Sequence, residues 1–292
     1  MALVLAPWAL LAVAAMWGIS FVWMKDILDQ QDVYSFLTSR FLVAAFVMIL
    51  FRPTIIRKFS RDLVGKGLLI GAVLGSGYIF QTLGLDRTTP AITGFITGLY
   101  VVLTPVLAYL FFKDHLSRQA WLYVLLATAG LGVLSLKGLV IGVGELFVLI
   151  SALLFAIHIL LLSRWSKGLD AYALTVMQMI GCSLLSIIPT SIHGFTYPPD
   201  KQVWGVILFT AIFATAIAFM IQTWSQARIS ATKVAVILTM EVVFAALFSV
   251  AMGREPLTTR LVVGGAMVVF AMIAIVLPQS NKDLGTRESM SP

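Results

Sequence analysis

Two charged side chains lie inside long apolar stretches of the sequence, Arg40 and Glu241. A charge at such depth in a bilayer costs about 2.5 to 3.5 kcal/mol on insertion scales and usually has a function. Glu241 is too short to reach water at either face, so we expect it to line a wet cavity, pair with Arg40, or be protonated. Arg40 has a long stem and can snorkel or bond to carbonyls, which leaves a purely structural role open. Glu241 is therefore the first candidate for binding a proton or an amine, with Arg40 as a possible ion-pair partner.

Trp17 lies about halfway along the first apolar run, where an indole N–H facing lipid would have no partner. We therefore expect it to face protein or a cavity. Gly18 allows another backbone or a ligand to approach closely, and Ser20 adds a small hydroxyl. A packing patch of small residues beside a bulky one is the alternative. Gly18 is also a possible hinge, together with Pro105, which frees a carbonyl inside another apolar run.

Further polar side chains occur at similar depth in other apolar runs. His158 is a candidate polar contact whose pKa range would permit proton coupling, although a hydrogen-bonded core histidine is the simpler interpretation. Aromatic rings with a few placed polar groups suit an amphipathic ligand. The predicted cavity residues are Trp17, Ser20, Tyr78, Gln81, Tyr100, His158, Gln178, Gln222 and Glu241.

The composition is that of an integral membrane protein. Of 292 residues, 60% are hydrophobic and 11% charged, and the mean hydropathy is +1.00. The net charge of +7 is spread in short clusters between apolar runs, which favours membrane orientation over nucleic-acid binding. The single cysteine, Cys182, excludes an intramolecular disulfide. No H-E-x-x-H sequence occurs, and the three histidines are far apart in the chain, so we predict neither an enzyme, nor a metal site, nor a cofactor.

Apolar runs of about 20 residues are long enough to cross about 30 Å of hydrocarbon as helices. The sequence predicts ten, at residues 5–24, 33–51, 66–84, 91–112, 119–136, 142–163, 171–191, 203–224, 233–252 and 260–277. Of the 20 Lys and Arg residues, six lie in the segments that would face outward if the N-terminus is cytoplasmic: Lys25, Arg87, Lys137, Lys201, Arg254 and Arg260. Arg40 lies within a span and the remaining 13 would face inward. This bias predicts that both termini are cytoplasmic.

The two halves of the chain repeat each other at an offset of 141 residues. "FQTLGLDRTTPA" from Phe80 aligns with "IQTWSQARISAT" from Ile221, and "KDHLS" from Lys113 aligns with "REPLT" from Arg254. Because each half has an odd number of spans, the second half must insert upside down. We predict an all-α membrane protein of ten transmembrane helices, arranged as two inverted five-helix repeats, residues 1–137 and 138–278, around a central cavity. Residues 279–292 are polar and predict a disordered cytoplasmic tail.

Four motifs resemble the drug/metabolite transporter superfamily, in its ten-helix bacterial metabolite and amino-acid exporter branch. They are "MWGISFVWMK", "SRFLVAAF", "LTPVLAYL" and "MEVVFAALFSVAMGREPLT". The resemblance implies a multi-pass carrier of the bacterial inner membrane that exports small metabolites, most similar to exporters of amino acids, including aromatic ones. The sequence departs from the usual pattern where Val242, rather than proline, follows Glu241.

Alternating access between the halves would make this chain a secondary carrier, with small-molecule substrates and the lipid bilayer as its partners. No G-x-x-x-x-G-K-[ST] loop occurs, and we expect no ATPase subunit. Export of other metabolites or drugs, and a channel-like facilitator, are the alternatives. Either a monomer or a homodimer is compatible with the sequence.

Overall fold

The computed structural model describes residues 2–88, 90–135, 142–254 and 256–277, and within them every regular element is helical. The α-helices are α1 Ala2–Ile27, α2 Val33–Phe51, α3 Arg61–Arg87, α4 Pro90–Gly98, α5 Tyr100–Phe112, α6 Arg118–Ser135, α7 Val143–Trp165, α8 Ala171–His193, α9 Lys201–Ala211, α10 Ala218–Gln226, α11 Ala231–Leu238, α12 Met240–Ala251 and α13 Thr259–Val276. A 3₁₀ helix spans Pro53–Lys58, and a π-helical segment, Ile212–Ile217, joins α9 to α10.

Nine helical segments in the described ranges are long and apolar enough to cross a membrane. They are Val4–Ile27, Val33–Phe51, Arg61–Arg87, Ile92–Phe112, Val143–Trp165, Ala171–His193, Lys201–Gln226, Ala231–Ala251 and Thr259–Val276. The remaining predicted span, 119–136, corresponds to a shorter apolar helix, Arg118–Leu134. Two predicted features lie outside the described residues. The junction of the two predicted repeats falls within 136–141, and the predicted tail falls within 278–292.

Side chains just before several helices determine where those helices begin. The carboxylate of Asp32 accepts from the backbone N–H of Ser35 at 2.8 Å at the start of α2. Asp170 and Asp200 make the equivalent bonds to Ala173 and Val203 at the starts of α8 and α9. Each N-cap satisfies an N–H that has no partner within its own helix.

Glycines allow close contacts between helices of the two halves. A Cβ on Gly71 of α3 would lie 2.9 Å from Cα of Gln178 in α8, and a Cβ on Gly130 of α6 would lie 2.9 Å from the carbonyl oxygen of Gly264 in α13. The backbones therefore meet directly at these crossings, as the small-residue spacing in α3 indicates. Helix α3 also packs against α7, and α1 against α12, so contacts between the halves surround the centre of the bundle.

Candidate functional site

A cavity lies at the centre of the bundle and is bounded by helices from both halves of the chain. The cavity has a volume of about 50 Å³, so it is narrow in this conformation. Its walls combine six aromatic and four aliphatic side chains with seven polar or charged ones. The lining residues are Trp17, Ser20, Phe21, Met24, Arg40, Leu74, Tyr78, Gln81, Thr97, Tyr100, Phe155, His158, Ile159, Phe219, Gln222, Leu238 and Glu241.

Eight of the nine side chains predicted for a cavity line this one, and Arg40 joins them. Gln178 does not. Its Oε1 lies 3.0 Å from Nε2 of His158, and its Nε2 donates to Oγ1 of Thr223 at 3.2 Å. Gln178 therefore stands behind His158 and fixes the orientation of that ring, which also meets Phe219 edge-on with centroids 5.9 Å apart.

The indole of Trp17 is both a wall of the cavity and a link between the two halves. Its Nε1–H donates to the carbonyl oxygen of Ala214 at 2.8 Å, and its ring lies against Phe219 with centroids 5.4 Å apart. Ala214 belongs to the π-helical segment, where the amide of Ala218 bonds to Phe213 and Thr215. In a regular helix the Ala218 amide would bond to the Ala214 carbonyl, whereas here it bonds elsewhere and the Ala214 carbonyl accepts from the indole.

Arg40 is 1% exposed, and the same π-helical segment holds it. Its Nε donates to Oγ1 of Thr215 at 2.6 Å, and Nη2 donates to the Ala214 carbonyl oxygen at 3.3 Å. Its guanidinium carbon lies 4.7 Å from the ring centroid of Tyr78, within range of a cation–π contact. These contacts turn the guanidinium toward the walls of the cavity.

Glu241 is 5% exposed and lies in the first turn of α12. The hydroxyl of Tyr100 is its polar neighbour, without a hydrogen bond of regular geometry. Arg40 and Glu241 line the same cavity, but they do not form the anticipated ion pair, because no nitrogen of Arg40 comes within 4.0 Å of the carboxylate. The contacts of Arg40 with the π-helical segment hold it away.

The helices that carry Tyr100 and Glu241 are each interrupted beside the cavity. Between α4 and α5 the amide of Leu99 bonds to the Ile96 carbonyl, and between α11 and α12 the amide of Val242 bonds to the Thr239 carbonyl, so both ladders tighten to three-residue steps. At the sequence offset of 141, Leu99 aligns with position 240, which is one residue from the corresponding point of the second half at Thr239. A broken span beside a cavity can adjust its two parts separately.

The two predicted hinge residues differ in their surroundings. Gly18 lies where α1 crosses α12 so closely that a Cβ would approach the Glu241 carbonyl oxygen to 2.8 Å. Pro105 is buried within α5, and the interruption of this span falls six residues earlier, at Leu99. Both residues remain candidate hinges.

Ion pairs bridge the halves at the two opposite ends of the bundle. At the end where α1 finishes, Arg254 contacts both carboxylate oxygens of Asp26, at 2.6 and 2.7 Å, and this bond raises the pKa of Arg254. At the other end, Arg164 of α7 contacts Asp114 at 2.6 Å. We call these the Asp26–Arg254 pair and the Asp114–Arg164 pair. The first pair joins the end of α1 to the loop before α13, and the second joins the end of α7 to the loop before α6.

The sequence alone did not point to several cavity residues. Phe155 and Phe219 were indistinguishable from core aromatics, and Thr97 from a packing residue. Oγ1 of Thr97 accepts from Nε2 of Gln81 at 3.2 Å. Gln81 was predicted to line a cavity, but its contact with Thr97 depends on how α3 packs against α4, which the sequence does not reveal. The repeat offers one signal, since Tyr78 and Phe219 occupy corresponding positions at the offset of 141.

A helical bundle that encloses such a cavity between apolar spans is the architecture of a membrane transport protein. The sequence profile of the EamA-like transporter family matches residues 4–136 and matches again at 142–277. The chain belongs to the EamA-like transporter family.

Relatives of the chain agree with this assignment. An uncharacterized transporter of Archaeoglobus fulgidus is 35% identical over 274 residues, which cover 93% of this chain and 86% of the relative. The uncharacterized transporter YyaM of Bacillus subtilis is 26% identical, over 83% of this chain and 85% of the relative. A solved crystal structure shares the fold with a TM-score of 0.78, covering 98% of this chain and 99% of its own, at 16% sequence identity.

Proposed function

We propose that the protein is a secondary transporter that exports amino acids, over a broad range that includes aromatic ones, by alternating access. The observation that carries this proposal is the central cavity, where aromatic rings surround an acidic and a basic side chain. Amphipathic ligands with charged groups require such a combination. Membership of a transporter family supports transport, and the substrate class rests on the cavity chemistry and on the resemblance of the motifs.

The proposed architecture is ten spans in two inverted five-helix repeats, with Arg118–Ser135 as the tenth span. An offset of 141 residues maps each helix of the first half onto a helix of the second, and α6 onto α13 with matching ends. The family profile also matches the chain twice, over almost the same two ranges. The cavity would then lie at the interface between repeats, as in other inverted-repeat carriers.

Alternating access requires the two ends of the pathway to open in turn, and the ion pairs are placed to control this. The Asp26–Arg254 pair and the Asp114–Arg164 pair each hold the halves together at one end. In the structure both pairs are formed, and the cavity between the halves is narrow. We assign the Asp114–Arg164 end to the cytoplasm, because Lys and Arg are more frequent there.

We further propose that the carrier acts in the bacterial inner membrane with both termini cytoplasmic and without an ATPase subunit. Glu241 would take part by binding a substrate amine or a proton. Ten spans can enclose a complete pathway, so a monomer suffices for transport, and a homodimer of two such units is also compatible with the fold.

The test is uptake by liposomes that contain the purified protein. Labelled tryptophan, phenylalanine, threonine, methionine and lysine are offered one at a time, with empty liposomes as the control. We expect saturable uptake of several of them, accelerated by unlabelled substrate inside. Uptake that does not saturate would indicate a channel, and no uptake of any member would contradict the amino-acid assignment.

A further inference from the structure

The cavity contains one basic and one acidic side chain that do not contact each other. Arg40 is 1% and Glu241 5% exposed, both line the cavity, and neither forms an ion pair with any described residue. Burying a charge without a counter-charge is costly, and the cost is relieved when an opposite charge arrives. Among the described residues, each side chain thus lacks a partner of opposite charge, which a bound molecule can supply.

The contacts of Arg40 leave part of its guanidinium free for such a partner. Of its five N–H groups, one bonds to Thr215, one to the Ala214 carbonyl, and a third makes a weak contact, 3.7 Å long, to the sulfur of Met24. The hydroxyl of Tyr78 is a further hydrogen-bonding neighbour of the guanidinium. These neighbours are neutral, and no carboxylate of the described residues lies within 4.0 Å. A guanidinium held in place by neutral groups beside a cavity, with N–H capacity left over, is suited to a carboxylate ligand.

Glu241 provides the complementary position. Its carboxylate has the hydroxyl of Tyr100 as polar neighbour, and no cationic nitrogen of a described residue lies within 4.0 Å of it. The aromatic rings of Trp17, Tyr78 and Phe219 lie around the same space and suit both an ammonium group and an apolar side chain.

We propose that the site selects zwitterions, with the substrate carboxylate bound by Arg40 and the substrate ammonium bound by Glu241. This inference rests on the proposed transport function and deepens it, because it assigns Arg40 a direct role in specificity and fixes the orientation of the ligand. A ligand with one charge would leave the other buried charge without a partner. Because the open space is small, we expect the walls to move apart when such a ligand binds.

The experiment compares two matched sets of compounds as competitors in liposomes. One set is alanine, ethylamine and propionate, and the other is phenylalanine, phenethylamine and 3-phenylpropionate. Inhibition of labelled alanine and phenylalanine uptake is measured, and direct uptake of each labelled single-charge compound is measured too. We expect the zwitterion of at least one set to be about tenfold or more preferred over both of its single-charge analogues.

Two variants test which side chain binds which charged group of the substrate. In Arg40→Gln the preference over the amine should fall to within about twofold, and in Glu241→Gln the preference over the acid should fall likewise. Arg228→Gln and Glu145→Gln, whose side chains bond outside the cavity, should keep the wild-type preferences. Arg40→Lys, which keeps the charge, should retain the preference over the amine if Arg40→Gln does not fold.

The outcomes separate the inference from the transport function. Saturable uptake by the wild type without a preference for zwitterions would support the transport function and overturn the inference. This result needs no variant. Unchanged preferences in both variants would show that Arg40 and Glu241 are structural and would overturn it as well. No saturable uptake of any of the six compounds would contradict the amino-acid function and the inference together.

Discussion

The indole of Trp17 supplies its ring to the cavity and its N–H to the backbone of the other half. Arg40 bonds to the same carbonyl, that of Ala214, so one π-helical turn orients two cavity residues. Glu241 has no comparable support, with Tyr100 as its polar neighbour. At the scale of single residues, the indole and the guanidinium are held by hydrogen bonds, whereas the carboxylate has less support, as its proposed role in binding a ligand requires.

Replacing Trp17 by phenylalanine tests the link between the halves. The variant keeps an aromatic wall and loses the bond to Ala214, so we expect a loss of about 1 kcal/mol in stability and a several-fold slower uptake. Thermal unfolding in detergent and liposome uptake measure the two effects. Trp204→Phe, at a half-exposed position, is the matched control. A Trp17→Phe protein equal to wild type in both assays would contradict this role.

Replacing Glu241 by glutamine tests the transport role of the carboxylate. Loss of a charged contact to the ligand should slow exchange by about tenfold or more. Exchange is measured between pH 5 and 8, with Glu145→Gln as the control because its carboxylate bonds outside the cavity. If Glu241→Gln exchanged at the wild-type rate and with the same dependence on pH, Glu241 would bind neither the substrate nor a coupled proton.

At the scale of elements, tightened helices and close crossings have different roles in the proposed cycle. The α4–α5 and α11–α12 spans tighten to three-residue steps beside the cavity, and in that proposal they are the parts that move. The crossings of α3 with α8 and of α6 with α13 bring backbones together through glycine, and in that proposal they stay fixed. The ion pairs then connect the outer ends of these elements across the halves.

Weakening either ion pair should shift the conformational equilibrium toward opening at that end. Exposed pairs contribute about 0.2 to 1 kcal/mol, so Asp26→Asn and Asp114→Asn should each raise the accessibility of the cavity by about 1.4- to fivefold, from opposite sides. Ser20→Cys in a Cys182→Ala background, labelled by an impermeant thiol reagent from each side, measures the change. Asp62→Asn, which breaks a pair within α3, should have no effect. A shift to the same side in both variants would contradict the proposal.

Adding a side chain at Gly71 tests the α3–α8 crossing. A Cβ there would overlap the backbone of Gln178, so Gly71→Ala should destabilise the protein by about 1 to 3 kcal/mol. Gly205→Ala, where nothing lies within 4 Å, is the control. Thermal unfolding in detergent compares the two variants, and equal melting temperatures would show that the helices separate easily at this crossing.

At the scale of the whole molecule, apolar length predicted the helices well, because a membrane leaves the backbone little choice. Nine of the ten predicted spans are among the candidate spans of the structure, and the tenth is a shorter apolar helix. The cavity residues were predicted largely because polar groups at depth must face protein. The position of Gln178 behind His158 and the π-helical turn at Ala214 could not be predicted, because they depend on which faces of neighbouring helices meet.

Counterflow in liposomes preloaded with unlabelled phenylalanine distinguishes a carrier from a pore. If the protein is an alternating-access carrier of amino acids, labelled phenylalanine will accumulate transiently inside the liposomes above its external concentration. Its uptake will also be faster than into proteoliposomes without internal phenylalanine. Uptake that only equilibrates, at a rate independent of internal substrate, would contradict alternating access and indicate an open pore.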